Sequence, residues 1–339
     1  MQNDSGFCKF ITDDFLEDIW YRKHFAVWFL LPFSWLYKAC VFIRRLAFAS
    51  GFLPVQRVAI PVIVAGNISI GGTGKTPLII WLTHFLESNG FRPGIISRGY
   101  GGTGSRIPQQ VRPDSNPTLV GDEPVLISRN TKVPVAVSPN RYIAANELIQ
   151  HTDCNILLCD DGLQHYSLHR DMEIAVIDGD RQFGNGFCLP AGPLREPVSR
   201  LKTVDMVVGN GKAGKNQYLM EYELLNPRMV RDPSVQRELE SFTGLQVHAV
   251  AGIGNPERFF SDLHSRSIRI IKHPFPDHHP YRPEDLNFQD DLPVLMTEKD
   301  AVKCMGFSNE NLWYLPVAAR LPDSFEYRLI TLLKEISNG

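Results

Sequence analysis

The sequence predicts an α/β protein: a parallel sheet covered by helices, a smaller second α/β domain, and an apolar helix near the N-terminus. Apolar, β-branched runs alternate with helix-like stretches, as in parallel sheets whose strands are joined by helices. A glycine-rich turn between the first run and its helix has the composition of a phosphate-binding loop. Nineteen residues near the N-terminus, 25–43, contain a single charged side chain.

Composition limits the function classes that remain. The chain has 339 residues, enough for two domains, and a net charge of −2 at pH 7. Because no global positive field is present, we expect no nucleic-acid partner. The six cysteines contain no Cys-x-x-Cys pair, which favours reduced thiols over disulfides. Nothing in the sequence indicates an obligate protein partner.

The first element, 1–50, is predicted to be a membrane-associated helical segment. Its apolar stretch, 25–43, lies too far along the chain for a cleaved signal peptide and does not end in small residues. The length just reaches across hydrocarbon, while the aromatic content equally fits a helix lying in the interface. A buried core helix is the remaining alternative. Basic flanks favour contact with anionic lipid on the cytoplasmic face: Arg22 and Lys23 before it, Arg44 and Arg45 after it.

The next element is a strand, loop and helix of the kind that binds phosphate. A strand is predicted at 58–65, a helix at 78–85, and a glycine-rich loop at 66–77. The glycines let backbone N–H groups surround an anion, and the helix N-terminus adds a favourable dipole. Lys75 should reach the outer phosphates, and the Thr76 hydroxyl should hold Mg²⁺. The predicted nucleotide-binding residues are Ser69, Ile70, Gly71, Gly72, Thr73, Gly74, Lys75 and Thr76. The first of these replaces the glycine of the commonest motif.

Further strands and helices complete the predicted core, 51–208. The strands are expected at 92–97, 133–137, 155–161 and 172–178, and helices at 122–128 and 141–149. Ligands of such sheets bind at the carboxyl ends of the strands. Asp160 and Asp161 end one strand, where a carboxylate beside a phosphate loop holds Mg²⁺ directly or through water. A solvated turn is the alternative for this segment taken alone.

The glycine run at 99–104 matches a dinucleotide-binding fingerprint, with Asp122 eighteen residues later. A helix should open at its third glycine, but three prolines lie in 105–117. We therefore interpret the run as a flexible loop over the active site and disfavour a dehydrogenase.

Two further pairs could carry chemistry. Arg195 and Glu196 combine a phosphate-binding fork with a possible metal ligand, and a surface ion pair is equally open. Asp277 precedes two histidines, His278 and His279, in a proline-rich loop. A carboxylate beside an imidazole can fix its tautomer for base chemistry. Two exposed histidines in a loop are the alternative.

Past the core, a linker or β-ribbon is predicted at 209–243 and a smaller α/β domain at 244–339. The strands of that domain are expected at 247–251, 268–271 and 293–296.

Three classes of P-loop protein compete. Partition-type ATPases carry a lysine where Ile70 stands, and GTPases require Asn/Thr-Lys-x-Asp, whereas residues 297–300 read Thr-Glu-Lys-Asp. The lack of a guanine motif favours ATP. A kinase acting on a lipid or lipid-linked sugar accounts for the second domain and the apolar N-terminus. A membrane-associated ATPase switch without lipid phosphorylation is the alternative.

Seven motifs in a fixed order resemble the tetraacyldisaccharide 4′-kinase family over nearly the whole chain. They lie at 66–77, 97–102, 120–124, 160–165, 192–197, 275–278 and 297–300. The resemblance implies transfer of the ATP γ-phosphate to the 4′-hydroxyl of tetraacyldisaccharide 1-phosphate, which gives lipid IVA in lipid A synthesis. It also implies a location at the cytoplasmic face of the bacterial inner membrane.

The same resemblance implies roles for single residues. Asp122 would act with His278 as a base dyad, although the adjoining His279 leaves the choice of imidazole open. Lys75 would be catalytic, and Tyr100 and Arg195 would join the loop in binding the nucleotide. Mg²⁺ would be held by Thr76, Asp160, Asp161 and Glu196.

Overall fold

The computed structural model describes residues 16–22, 24–100, 102 and 107–338. Lys23 lies outside the described residues, and so do residues 101, 103 and 104 of the glycine run on which the flexible-loop interpretation rests. The chain divides into two compact units built from separated segments: 1–75, 155–221 and 321–339 form the first, and 76–154 and 222–320 form the second. The predicted boundaries at 50, 208 and 243 stay predictions.

After a helical stretch at 16–21, the described elements follow in chain order. The helices are α1 (Val27–Ala49), α2 (Lys75–Ser88), α3 (Pro117–Val120), α4 (Asp122–Thr131), α5 (Arg141–His151), α6 (Pro256–Ser265), α7 (Glu298–Cys304) and α8 (Asp323–Asn338). The strands are β1 (Val62–Gly66), β2 (Pro93–Ser97), β3 (Gln109–Val111), β4 (Val135–Val137), β5 (Ile156–Asp160), β6 (Met172–Asp178), β7 (Met206–Asn210), β8 (Tyr218–Leu224), β9 (Arg228–Met229), β10 (Gln246–Ala251), β11 (Arg269–Pro274), β12 (Val294–Thr297), β13 (Leu312–Leu315) and β14 (Val317–Arg320). Short 3₁₀ helices lie at Val198–Thr203, Leu239–Phe242 and Pro283–Leu286.

The first unit contains a parallel sheet with β1 at its centre. β1 pairs in parallel with β5 on one side and β6 on the other, and β7 and β8 extend the sheet beyond β6. Every residue of β1, β5 and β6 is buried, which is why these strands are continuous apolar runs without alternation. The predicted parallel α/β core is confirmed. β1 begins later than expected, directly after Pro61, which has no N–H to give to a neighbouring strand.

The second unit contains two groups of strands. β2 and β4 are parallel, with β3 antiparallel at the edge. A separate sheet has the order β11, β10, β12, β13, β9, parallel except for β9. Its core packs Phe242, Phe260, Leu263 and Trp313. The strands predicted near 247, 268 and 293 are confirmed, whereas β13 was not predicted, although its four residues are buried.

Helix α1 is the element whose surface is most unusual. Among the described residues it is the one helix long and apolar enough to cross a membrane, with a mean hydropathy of 1.3. Trp28 and Phe29 are 74% and 72% exposed, and only Leu31 and Ser34 of the helix are buried. The interpretation as a buried core helix is therefore wrong.

Candidate active site

The loop between β1 and α2 has the shape of an anion cradle. Gly71 and Gly74 adopt φ values of +106° and +91°, a region that side chains rarely enter. Asn67 is fully buried, and its Nδ2 donates to Thr73 Oγ1 at 3.2 Å. Since α2 begins at Lys75, its free N–H groups lie at the end of this loop. The predicted strand, loop and helix are confirmed.

A second segment, 188–196, supports the loop from outside. The Arg195 N–H donates to the Ile68 carbonyl at 2.7 Å, and the Ile70 N–H donates to the Pro193 carbonyl at 2.8 Å. On another side, Asn210 Nδ2, at the end of β7, donates to the Thr73 carbonyl at 3.1 Å. The cradle is thus fixed by the main chain of segment 188–196 and by the side-chain amide of Asn210.

Two cations surround one carboxylate beside the cradle. Lys75 Nζ lies 3.6 Å from Asp161 Oδ1, and Arg195 Nη1 lies 3.1 Å from Asp161 Oδ2. Asp160, the last residue of β5, is 1% exposed. The structure therefore brings together three side chains predicted for phosphate and metal binding, and Asp160 directly precedes one of them in the chain.

Glu196 lies in a different setting from its neighbour Arg195, and the two do not pair with each other in the described contacts. Glu196 is 1% exposed, and its Oε2 accepts from Gln164 Nε2 at 2.9 Å. Its Oε1 accepts a short hydrogen bond from the Tyr166 hydroxyl. Burial, together with the charge of Glu196, raises the pKa of Tyr166 to about 12. Gln164 Nε2 also donates to the Asn67 carbonyl at 2.9 Å, so this buried network reaches the cradle.

The second unit holds the predicted dyad in direct contact. Asp122 opens α4 and is 5% exposed. Although the two residues lie 156 positions apart, His278 Nδ1 is 2.9 Å from Asp122 Oδ2. His279 points elsewhere, with its Nε2 3.2 Å from Asp285 Oδ2. The structure therefore pairs Asp122 with His278 and not with His279.

Contact within the dyad shifts the pKa of both residues. Burial raises the pKa of Asp122, but the hydrogen bond from His278 and the charge of Lys299 bring it below its ordinary value. Burial lowers the pKa of His278, yet the hydrogen bond to Asp122 leaves it above its ordinary value. Nδ1 faces the Asp122 carboxylate, whereas Nε2 lies 3.8 Å from Asp277 Oδ2, beyond hydrogen-bonding distance. Nε2 is therefore the nitrogen that can exchange a proton with another molecule.

The sequence did not predict the charged residues that surround the dyad. Lys299 Nζ lies 3.0 Å from Glu123 Oε1 and 3.2 Å from Asp277 Oδ1. In the sequence, the motif that contains this lysine, 297–300, resembles an imperfect guanine motif and gives no sign of these contacts. The ring centroids of Tyr100 and His278 lie 5.5 Å apart. The predicted role of Tyr100 in nucleotide binding stays a prediction.

Among the described residues, no group of three or more His, Cys, Asp or Glu side chains has the arrangement of a metal centre. Mg²⁺ does not require one, since it commonly binds through one or two carboxylates together with substrate phosphates and water. The hard oxygen donors of Asp160, Asp161 and Thr76 fit that chemistry.

Comparison with known proteins gives a single family. The family model Tetraacyldisaccharide-1-P 4′-kinase matches residues 26–334. A tetraacyldisaccharide 4′-kinase of Nitrosococcus oceani is 52% identical over 316 residues, 93% of each chain. One from Methylobacillus flagellatus is 48% identical over 323 residues, 95% of this chain and 96% of its own. A crystal structure of the "apo" form LpxK from Aquifex aeolicus in complex with ATP superposes with a TM-score of 0.75 at 28% identity, covering 90% of this chain and 98% of that one.

Proposed function

The chain belongs to the tetraacyldisaccharide 4′-kinase family, and we propose that it transfers the γ-phosphate of ATP to the 4′-hydroxyl of tetraacyldisaccharide 1-phosphate. The product is lipid IVA. The observation that carries the residue roles is the Asp122–His278 hydrogen bond. A nucleotide switch needs only the cradle, whereas a kinase also needs a group that takes a proton from its acceptor.

The proton step is assigned to the imidazole of His278. Its Nε2 takes the proton of the 4′-hydroxyl, whose oxygen forms a bond to the γ-phosphorus as the bond from that phosphorus to the β,γ-bridging oxygen breaks. ADP leaves with the electron pair of the broken bond. Asp122 holds the imidazole in the required tautomer and stabilises its protonated form, since a buried carboxylate attracts the positive charge.

The phosphate chain is assigned to the cradle, Lys75 and Arg195. Both cations face Asp161, and ATP offers them phosphate oxygens as alternative partners. Bound Mg²⁺, held by Thr76, Asp160 and Asp161, would neutralise charge on the β- and γ-phosphates. Glu196 stays a candidate further ligand of Mg²⁺: hydrogen bonds from Gln164 and Tyr166 fix its carboxylate, and each oxygen keeps a second lone pair for a metal ion.

We further propose that α1 places the enzyme on the cytoplasmic face of the inner membrane, where an acylated substrate resides. Its exposed aromatic side chains suit the boundary between acyl chains and head groups, and the basic pair Arg44 and Arg45 suits anionic lipid.

The test uses the full chain in detergent–lipid micelles with γ-labelled ATP and tetraacyldisaccharide 1-phosphate. Label should appear on the lipid. His278→Ala should lower kcat by about 100-fold, the usual contribution of a general base, while the adjacent control His279→Ala stays close to the parent. ATP hydrolysis stimulated by lipid without labelled lipid would identify an ATPase switch, and equal losses in both histidine variants would refute the assignment to His278.

A further inference from the structure

Lys299 is a largely buried lysine held between two carboxylates. Its side chain is 16% exposed, with Nζ 3.0 Å from Glu123 Oε1 and 3.2 Å from Asp277 Oδ1. Glu123 directly follows Asp122, and Asp277 directly precedes His278. The ammonium group therefore bridges the two chain segments that carry the dyad.

We infer that Lys299 is a positioning residue for phosphoryl transfer, which holds the Asp122 and His278 segments at hydrogen-bonding distance. The inference rests on the proposed base role of that pair. Lys299 touches neither reacting group. It acts through the two carboxylates beside them.

Packing of helix α7 fixes the backbone position of Lys299. The helix starts at Glu298, whose Oε1 accepts from Asn130 Nδ2 of α4 at 3.0 Å. Two residues after Glu298, Asp300 is fully buried and accepts from the Gly252 N–H at 2.8 Å. Contacts of the residues on both sides of Lys299 thus hold its backbone in place. This packing keeps the ammonium group within contact distance of both carboxylates. Exposed ion pairs lack such support and contribute little.

The bridge also balances the charges that face the dyad. In the part of the chain that the structure describes, these charges are the carboxylates of Glu123, Asp277 and Asp300 and the ammonium groups of Lys299 and Lys303. The uncharged Tyr100 ring also lies beside His278. Lys303 is occupied by Asp300, with Nζ 2.9 Å from Oδ1. Lys299 lies in contact with Asp277, and its charge lowers the pKa of both Asp122 and His278.

A direction of pH dependence follows. Without the charge of Lys299 the pKa of His278 should rise, because Asp277 and Asp122 both favour its protonated form. A base works only when it is deprotonated, so the acid limb of the pH–rate profile should move to higher pH. A lysine that merely stabilised the fold would leave this limb in place.

The experiment compares Lys299→Met and Lys299→Arg with the parent in the labelled-ATP assay, using the full chain. Lys299→Met should lower kcat by about ten- to a hundred-fold, the scale of misplaced catalytic groups, with KM for ATP unchanged and the acid limb moved to higher pH. Lys299→Arg should restore most of kcat. The matched control is Lys272→Met, which removes an exposed pair with Glu257 in the same unit and should leave kcat and the profile unchanged.

Asp277→Asn gives an independent test, should Lys299→Met fail to fold. Removing this carboxylate should lower the pKa of His278 and move the acid limb to lower pH, opposite to the lysine variant. The inference is overturned if folded Lys299→Met keeps kcat within about two-fold of the parent, if its loss comes without a shift of the limb, or if Asp277→Asn shifts it upward. If His278→Ala retains full turnover, the proposed base fails. If His278→Ala is inactive while Lys299→Met is unaffected, only the inference fails.

Discussion

The phosphate cradle and the dyad are built in opposite ways. The cradle is one continuous segment, fixed by main-chain hydrogen bonds from Arg195 and Ile70 and by the amide of Asn210. The dyad joins residues 156 positions apart, and charged side chains hold it together. A site of the first kind depends on local conformation and changes little with pH. A site of the second kind can be tuned by single charges and is sensitive to their loss.

The largest expected effect separates the two regions directly. Lys75→Ala should lower kcat by at least about 100-fold, because the positive charge that stabilises the transferring phosphate is lost, and should also weaken ATP binding. His278→Ala should lower kcat by a similar factor with little change in ATP affinity. Calorimetric titration with ATP beside the lipid-kinase assay measures both. The comparison breaks down if His278→Ala weakens ATP binding as much as Lys75→Ala does.

A change within the dyad should be visible as a pH effect. Asp122→Asn removes the hydrogen-bonded carboxylate that raises the pKa of His278, so the pKa should fall. The acid limb of the profile should then move to lower pH, while kcat on the plateau falls by about 100-fold because the imidazolium loses its counter-ion. The readout is kcat/KM measured across the acid range. An unmoved limb would mean that Asp122 does not govern the titration of His278.

The smallest expected effect concerns the support behind the cradle. Ser34 of α1 is buried, and its Oγ donates to the Cys188 carbonyl at 2.7 Å. Ser34→Ala should cost about 1 kcal/mol of unfolding free energy, the usual contribution of one hydrogen bond, and should weaken ATP binding slightly. Ser50→Ala is the matched control, since Ser50 lies just beyond the same helix and is exposed, and its Oγ donates to the nearby Ala47 carbonyl. Equal melting temperatures for the two variants would contradict the supporting role.

The same contrast explains what could be predicted from the sequence. The cradle and Asp160 were predictable because their signals are local. Each lies at the end of an apolar run of strand length, and the glycines, the lysine and the carboxylate follow that run directly in the sequence. The pairing of Asp122 with His278 came only from the family resemblance, since no local pattern links them. Lys299 was missed because its role depends on two carboxylates from distant segments. The metal role of Glu196 stays a prediction, and a carboxylate beside an arginine gives no sign of the buried tyrosine and glutamine that it meets.

The docking of α1 has a practical consequence for drug discovery. The helix bonds to the backbone of segment 188–196 through Ser34 and Tyr37, and that segment bonds in turn to the cradle. Trimming the helix to obtain an easily handled protein would therefore strip the outer support of the ATP pocket. We expect inhibitor affinities measured on such a truncated protein to reflect a less ordered ATP pocket than that of the full chain. Screening should therefore use the full chain in detergent or nanodiscs.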